Sequence, residues 1–257
     1  MTTLLHAKPP GTPTWTDLTA PDAEAARDFY QAVFGWTYDV GGPEFGGYTT
    51  ARVGDRMTAG IVGNQPDAPP QPAAWGLYFA TNDIHADVAR AVALGAQELY
   101  PAMAVGSFGS MATLTDPTGA QFSLWQAGSH VGWQMINEPG STAWHELYSP
   151  DAKAARDFYT ALLGATDETM AGGLEYYVIK HGDDMLCGIM QIDPAWGKLP
   201  AQWVSYFGVA NADETVATVI KHGGQIMGPI DDSPFGRIAA LKDPSGATFK
   251  IVEVPVN

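Results

Sequence analysis

From Ala23 onward apolar side chains fall at Ala26, Phe29, Tyr30 and Val33, the i, i+3, i+4, i+7 spacing of a helix with one buried face. Asp22 stands where an N-cap carboxylate accepts the first free amides, and Gly35 where a left-handed residue ends the helix. Ahead of it, Trp15 to Thr19 alternate as a short strand. Behind it, YTTARV and RMTAGIV flank Gly54-Asp55, a hairpin pattern. A Pro-rich loop, GNQPDAPPQP, leads to a second strand, AWGLYFAT, and a second helix, DIHADVARAVALGA. Two further strands flank the Asp-Pro-Thr-Gly turn at 116–119.

The whole pattern then repeats. WTDLTAPDAEAARDFYQAVFG from Trp15 returns as WHELYSPDAKAARDFYTALLG from Trp144. VGDRMTAGI answers HGDDMLCGI, YFATND answers YFGVAN, and FGSMATLTDPTGAQF answers FGRIAALKDPSGATF. The offset drifts by one residue at a time, as small loop insertions would produce, so the chain is a tandem duplication. Residues 12–127 form one module, 128–140 a linker carrying glycines and a proline, and 141–257 the second module. Each module holds two βαβββ-like units. The class expected is α+β, with two curved mixed sheets and helices on their outer faces.

Composition narrows the function. Thirteen basic against 28 acidic side chains give a formal charge of −15, a field that repels nucleic acid and anionic membranes. No apolar run approaches the roughly 18 residues of a membrane span. The N-terminus shows no signal-peptide pattern, and the single cysteine, Cys187, excludes an internal disulfide framework. A cytoplasmic protein is the expectation, with the oligomeric state left open. Cys187 aligns with Ala59 and reads as a small core side chain. Arg237 reads as a surface ion-pair partner.

The succession strand, P-D-x-x-x-A-x-x-F-Y-x-x-x-x-G, hairpin, strand, helix, strand, D-P-x-G-x-x-F resembles the vicinal oxygen chelate superfamily. That group includes glyoxalases, bleomycin resistance proteins and extradiol dioxygenases. The resemblance runs from about Thr14 to Val254, and is closest to tandem glyoxalase-like proteins of actinobacteria labelled as hydroxylases. It implies metal ligands at three places in a module. Here those places hold Trp15, Gly76 and Ser123 in the first module, and Trp144, Val204 and Lys250 in the second. None is a His or a carboxylate, and an ammonium repels a cation. His6, His85, His130, His145, His181 and His222 show no ligand spacing either, and His130 and Glu138 in the linker are the first of the remaining polar residues to check. No metal and no other cofactor is therefore expected.

Strand alternation supplies the remaining candidates. If Trp15 faces the cavity, so do Asp17, Tyr78, Ser123 and Trp125. In the second module Trp144, Glu146, Tyr148, Tyr206 and Lys250 do the same, while His145 points the opposite way. Each module would then present aromatic walls and one carboxylate. Such walls suit an aromatic or cationic small molecule through stacking and cation–π attraction, in a sequestering role. The alternative is an enzyme, a metal-independent lyase or oxidoreductase acting on a small carbonyl or aromatic metabolite. In that case Asp17 or Glu146 is the catalytic base. Lys250 is placed to pair with Glu146, which would make that carboxylate the poorer base.

Overall fold

The computed structural model describes residues 3–64, 71–170 and 175–256; residues 65–70 of the Pro-rich loop lie outside the described residues. In the first module the order is β1 (Pro13–Ala20), α1 (Ala23–Phe34), β2 (Thr37–Val40), β3 (Thr49–Val53), β4 (Arg56–Gly63), β5 (Ala74–Ala80), α2 (Ile84–Ala93), β6 (Gln97–Val105), β7 (Gly109–Thr115) and β8 (Gln121–Ala127). The second runs β9 (Thr142–Ser149), α3 (Ala152–Leu163), β10 (Thr166–Thr169), β11 (Tyr176–His181), β12 (Asp184–Gln191), β13 (Gln202–Val209), α4 (Ala212–Lys221), β14 (Gln225–Ile226), β15 (Asp231–Ser233), β16 (Gly236–Lys242) and β17 (Thr248–Glu253).

Local chemistry sets these boundaries. Asp22 accepts hydrogen bonds from the Glu24 and Ala25 amides, and Asp151 from that of Ala154, so α1 and α3 start where the repeated Pro-Asp stands. Gly35 and Gly164 end them at φ of +70° and +65°, a region that a Cβ disfavours.

Each module closes on its own mixed sheet. The first has the order β2-β3-β4-β1-β5-β8-β7-β6 and the second β10-β11-β12-β9-β13-β17-β16-β14, with β15 beside β16. In each, the leading strands of the two units pair antiparallel at the centre, β1 with β5 and β9 with β13. Each leading strand also pairs parallel with the last strand of its own unit, as β1 does with β4 and β5 with β8. The architecture is thus α+β with four βαβββ units. In the last unit the strand after the helix is broken into β14 and β15. Strands β2, β6 and β10 lie at sheet edges and are largely exposed, so they carry no buried alternation that a pattern could reveal.

The helices keep to the sheet face opposite Trp15 and Trp144. That face is outer only for a module taken singly, because in the whole chain the two helix-bearing faces meet. One core combines Leu18, Phe29, Tyr30, Trp36, Ile61 and Trp75 with Phe207, Val216, Leu241, Phe249 and Ile251 of the second module. The other combines Phe79, Val88, Leu114 and Phe122 with Phe158, Tyr159, Ile189 and Trp203.

Across this seam the repeated motifs bind each other. Tyr30 of the first DFY donates to Asp243 Oδ2 of the second module's DPSG turn at 3.1 Å. Tyr159 of the second DFY donates to Asp116 Oδ2 of the first module's DPTG turn at 3.0 Å. Each phenol oxygen also accepts an indole N–H, Trp75 at 3.1 Å and Trp203 at 3.0 Å. Each Asp Oδ1 is held by amides of its own turn, Thr118 and Ala120 for Asp116, Ser245 and Ala247 for Asp243. Burial, then the neighbouring carboxylate, pushes both phenols well above their ordinary pKa, so they remain donors.

At the centre of the seam, His145 does face away from Trp144. It lies between Thr142 Oγ1 (3.0 Å) and Ser205 Oγ (3.1 Å), and Ser205 reaches Thr16 of the other module at 3.2 Å. Burial lowers its pKa to about 3, so the ring is neutral. Segment 128–140 packs on the first module. Trp133 N donates to Thr14 O, Trp36 Nε1 to Gly140 O, and Arg56 pairs with Glu138 at 3.0 Å.

Removing one phenol leaves a buried carboxylate short of a donor and an indole N–H short of an acceptor. Tyr30→Phe and Tyr159→Phe should each lower unfolding free energy by about 2 kcal/mol, within the range for a hydrogen bond to a charged group. Urea denaturation checks this, and a loss below about 0.5 kcal/mol in both would show that the cross-module bonds contribute little.

Candidate functional site

The face opposite the helices carries the chemistry, and strand register puts it there. In the first sheet Trp15 pairs with Tyr78 and Asp17 with Gly76, while Tyr78 pairs with Ser123 on β8. In the second sheet Trp144 pairs with Tyr206, Glu146 with Val204, and Tyr206 with Lys250. The residues expected to share a face therefore do so.

In the first module they seal one another. Trp15 Nε1 donates to Tyr48 Oη at 2.7 Å, and Tyr48 donates onward to Asp17 Oδ2 at 3.2 Å. Tyr78 Oη donates to the same Asp17 oxygen at 2.9 Å. Ser123 Oγ pairs with Thr113 Oγ1 at 2.9 Å. Trp125 Nε1 donates to His130 O, and the His130 ring stands edge-on to Trp15 with centroids 4.5 Å apart. Trp15 is 3 % and Asp17 7 % exposed, so little solvent reaches the carboxyl. Burial raises the Asp17 pKa from 3.8 to about 6, against the opposing hydrogen bonds of Tyr78 and Tyr48. The His130 ring is pushed down to about 4 by burial and stays neutral. Glu138, the other linker residue singled out, is instead engaged by Arg56.

The second module keeps the framework but has Glu146 for Asp17, Lys250 for Ser123 and Val252 for Trp125. Trp144 Nε1 donates to Tyr176 Oη at 3.2 Å, and Tyr206 Oη donates to Glu146 Oε2 at 2.7 Å. Where the first module has Ser123, Lys250 stands. Its Nζ donates to Glu146 Oε2 at 3.2 Å and to Tyr206 Oη at 2.7 Å. The same nitrogen lies 5.1 Å from the Tyr148 ring centroid and 4.8 Å from that of Tyr206, within cation–π range. Glu146 is buried, but Trp144, Tyr148, Tyr176 and Lys250 are only partly so. Tyr148 meets Trp196 edge-on at 6.3 Å, and Trp196 is 47 % exposed. Burial, followed by the Glu146 charge, raises the Tyr148, Tyr176 and Tyr206 phenols, which remain protonated.

Three of these residues escape a reading of strand parity. Tyr48 precedes β3 and Tyr176 opens β11, so both reach the site from a neighbouring strand. Their hydroxyls sit over Gly60 and Gly188, where an added Cβ would collide with the phenol oxygen. The signal was present in the repeat, since both copies place a Tyr before the hairpin and a Gly within it. Trp196 lies in a short 3₁₀ turn before β13 and has no counterpart among the described residues of the first module. Cys187 is a fully buried core residue, and Arg237 pairs with Asp213 and Asp232 at the surface. A crevice of about 140 Å³ near Lys8, Asn82 and Gln126 is lined by neither site carboxylate.

Residues 15–125 match the Glyoxalase-like domain family, and residues 132–251 match the Glyoxalase/Bleomycin resistance protein/Dioxygenase superfamily. Over 249 residues and 95 % of both chains, the sequence is 39 % identical to CFP32 of Mycobacterium tuberculosis, whose name assigns it provisionally as a glyoxylase. The chain belongs to the glyoxalase, bleomycin resistance and dioxygenase superfamily. The anthracycline biosynthesis protein DnrV of Streptomyces peucetius is 37 % identical over 259 residues, covering 95 % of this chain and 94 % of its own. Solved structures agree on the fold. The Mn(II)-bound glyoxalase of Novosphingobium aromaticivorans superposes with a TM-score of 0.67 at 15 % identity, covering 95 % of this chain and 82 % of its own. The 2,3-dioxygenase LapB of Pseudomonas sp. KL28 gives 0.65 at 15 %, covering 98 % and 93 %.

The donor set here does not fit the metal that superfamily members such as the Mn(II)-bound glyoxalase carry. The positions at which the resemblance implies metal ligands offer two indoles already committed to Tyr48 and Tyr176, two residues without a polar side chain, a serine bonded to Thr113, and an ammonium. Among the described residues no group of three His, Cys, Asp or Glu side chains converges as metal ligands would. Nor is any described helix long and apolar enough to cross a membrane.

The Asp17 environment makes a thermodynamic prediction. Its folded pKa lies above the unfolded value, so its contribution is intact below about pH 4 and is lost as pH rises through about 6. At pH 8 the ionised, buried carboxylate should cost about 3 kcal/mol, roughly 1.4 kcal/mol per pKa unit. Asp17→Asn keeps an acceptor for both tyrosines. It should stabilise the protein at pH 8 and be neutral at pH 4; thermal unfolding across that range checks it, and a pH-independent difference would contradict it.

Proposed function

We propose that this protein binds a small planar aromatic molecule on the partly buried aromatic face of the second module, without a metal. The observation that carries this is the ring of Trp144, Tyr148, Tyr176 and Tyr206 around the Glu146–Lys250 pair, with exposed Trp196 edge-on to Tyr148. Indole and phenol faces stack on flat apolar surface at low entropic cost, while a few polar groups at the base fix orientation. Because Lys250 neutralises Glu146, a cationic ligand gains less here than the aromatic walls alone would suggest. The name of the relative DnrV ties that protein to anthracycline biosynthesis, which is compatible with a small-molecule role for this chain. The first module, sealed by Trp15 and His130, then serves as a packed counterpart.

One observation favours a second reading, a metal-independent lyase or oxidoreductase. Asp17 lacks a cationic partner among the described residues, and its pKa of about 6 suits a base near neutrality. Its enclosure makes this the weaker candidate, since substrate would have to displace the His130 segment.

Intrinsic tryptophan fluorescence, titrated with a fused-ring panel from 2-naphthalenemethanol to anthraquinone, tests this face. Saturable quenching is expected. Trp196→Ala and Tyr148→Ala should weaken it about tenfold, roughly the loss of one good stacking contact. Trp15→Phe should lower stability and leave affinity unchanged. If no compound perturbs the fluorescence, or if Trp15→Phe abolishes binding while Trp196→Ala does not, this face is not the binding site.

A further inference from the structure

On their last strands the two modules differ at Ser123 and Lys250 and at Trp125 and Val252, and Lys250 is the one of these that brings a charge. We infer that the Lys250 ammonium takes the place of the family's metal cation as the electrophilic anchor for an oxygen of the ligand. The ligand class is thereby narrowed to planar aromatics bearing an anionic oxygen, such as a carboxylate, phenolate or enolate. This rests on the aromatic-face reading above and adds a charge to it.

The geometry carries the inference. An ammonium has three N–H groups. Two are accounted for at Lys250, one on Glu146 Oε2 and one on Tyr206 Oη, and among the described residues the third has no acceptor. Tyr206 in turn donates to Glu146, so the three groups form a closed triangle that holds the nitrogen in place. Its side chain is 18 % exposed against 6 % for Glu146, so a ligand reaches the cation while the carboxylate lies beneath it. The nitrogen sits over the edge of the aromatic wall, 5.1 Å from the Tyr148 ring that leads to Trp196. A molecule stacked there can direct an oxygen to the free N–H. A charge-assisted hydrogen bond in a partly desolvated site is among the stronger polar contacts available. The protein's net charge of −15 opposes anions at long range, but salt screens that field more than a bond at contact distance.

Isothermal titration calorimetry with three matched probes tests this: 2-naphthoate, 2-naphthalenemethanol and 2-naphthylmethylammonium. They share a ring system and differ in charge. 2-Naphthoate should bind at least about tenfold tighter than the alcohol, and the ammonium weakest. Lys250→Met should erase the preference while the alcohol still binds. Since that variant strands Glu146, the double variant Lys250→Met/Glu146→Gln should do the same with the site left neutral. Equal affinities, tightest binding by the ammonium, or a carboxylate preference that survives in the double variant would overturn the anchor and leave the aromatic-face reading standing. Binding by none of the three would overturn both.

Discussion

The reciprocal hydrogen bonds from Tyr30 to Asp243 and from Tyr159 to Asp116 are the constraint on which the architecture depends. Both phenols and both carboxylates are buried, and a buried charge without donors is costly. Each Asp shapes its own turn through backbone amides, yet has one oxygen left that only the other module can satisfy. The modules are thereby obliged to meet by their helix-bearing faces. Phe207 and Phe249 then pack on Tyr30 and Phe34, while Phe79 and Phe122 pack on Tyr159. The opposite face of each sheet carries the candidate site residues.

Two such faces arising from one duplication need not keep the same work. Both retain an indole bonded to a tyrosine hydroxyl lodged over a glycine, and both retain a carboxylate bonded to a phenol. In the first, Asp17 has only neutral partners and is closed in by Trp15 and His130. In the second, Lys250 compensates the carboxylate, and Trp144, Tyr148 and Tyr176 are only partly buried. The last strands differ as well, with Ser123 and Trp125 in the first module against Lys250 and Val252 in the second.

Much of this is legible in the amino-acid sequence. DFY and DP-x-G, repeated at matching places, mark the fold because each is half of a buried hydrogen bond. Strand alternation places Trp15 with Asp17, and Trp144 with Glu146, because a β-strand leaves a side chain only two faces. Other features leave no trace of that kind. Strands β2, β6 and β10 are exposed edges, held by backbone bonds that any sequence can make. That Tyr30 belongs to a seam rather than to its own module's core is a tertiary fact, invisible to helical periodicity. Tyr48 and Tyr176 reach the site from neighbouring strands, where parity along one strand has no purchase. Trp196 comes from a loop with no counterpart among the described residues of the first module.

On the proposed reading, indole and ammonium groups occupy the positions where the resemblance places the family's metal ligands. Both tryptophan N–H groups are donated to tyrosines, and Lys250, the charged residue among these positions, is itself a cation. Equilibrium dialysis of the purified protein against Mn(II), Fe(II), Ni(II) and Zn(II), followed by elemental analysis, tests this most directly. Retention well below one equivalent per chain is predicted for every metal, unchanged in Asp17→Asn and Glu146→Gln. One full equivalent, lost in either variant, would contradict it.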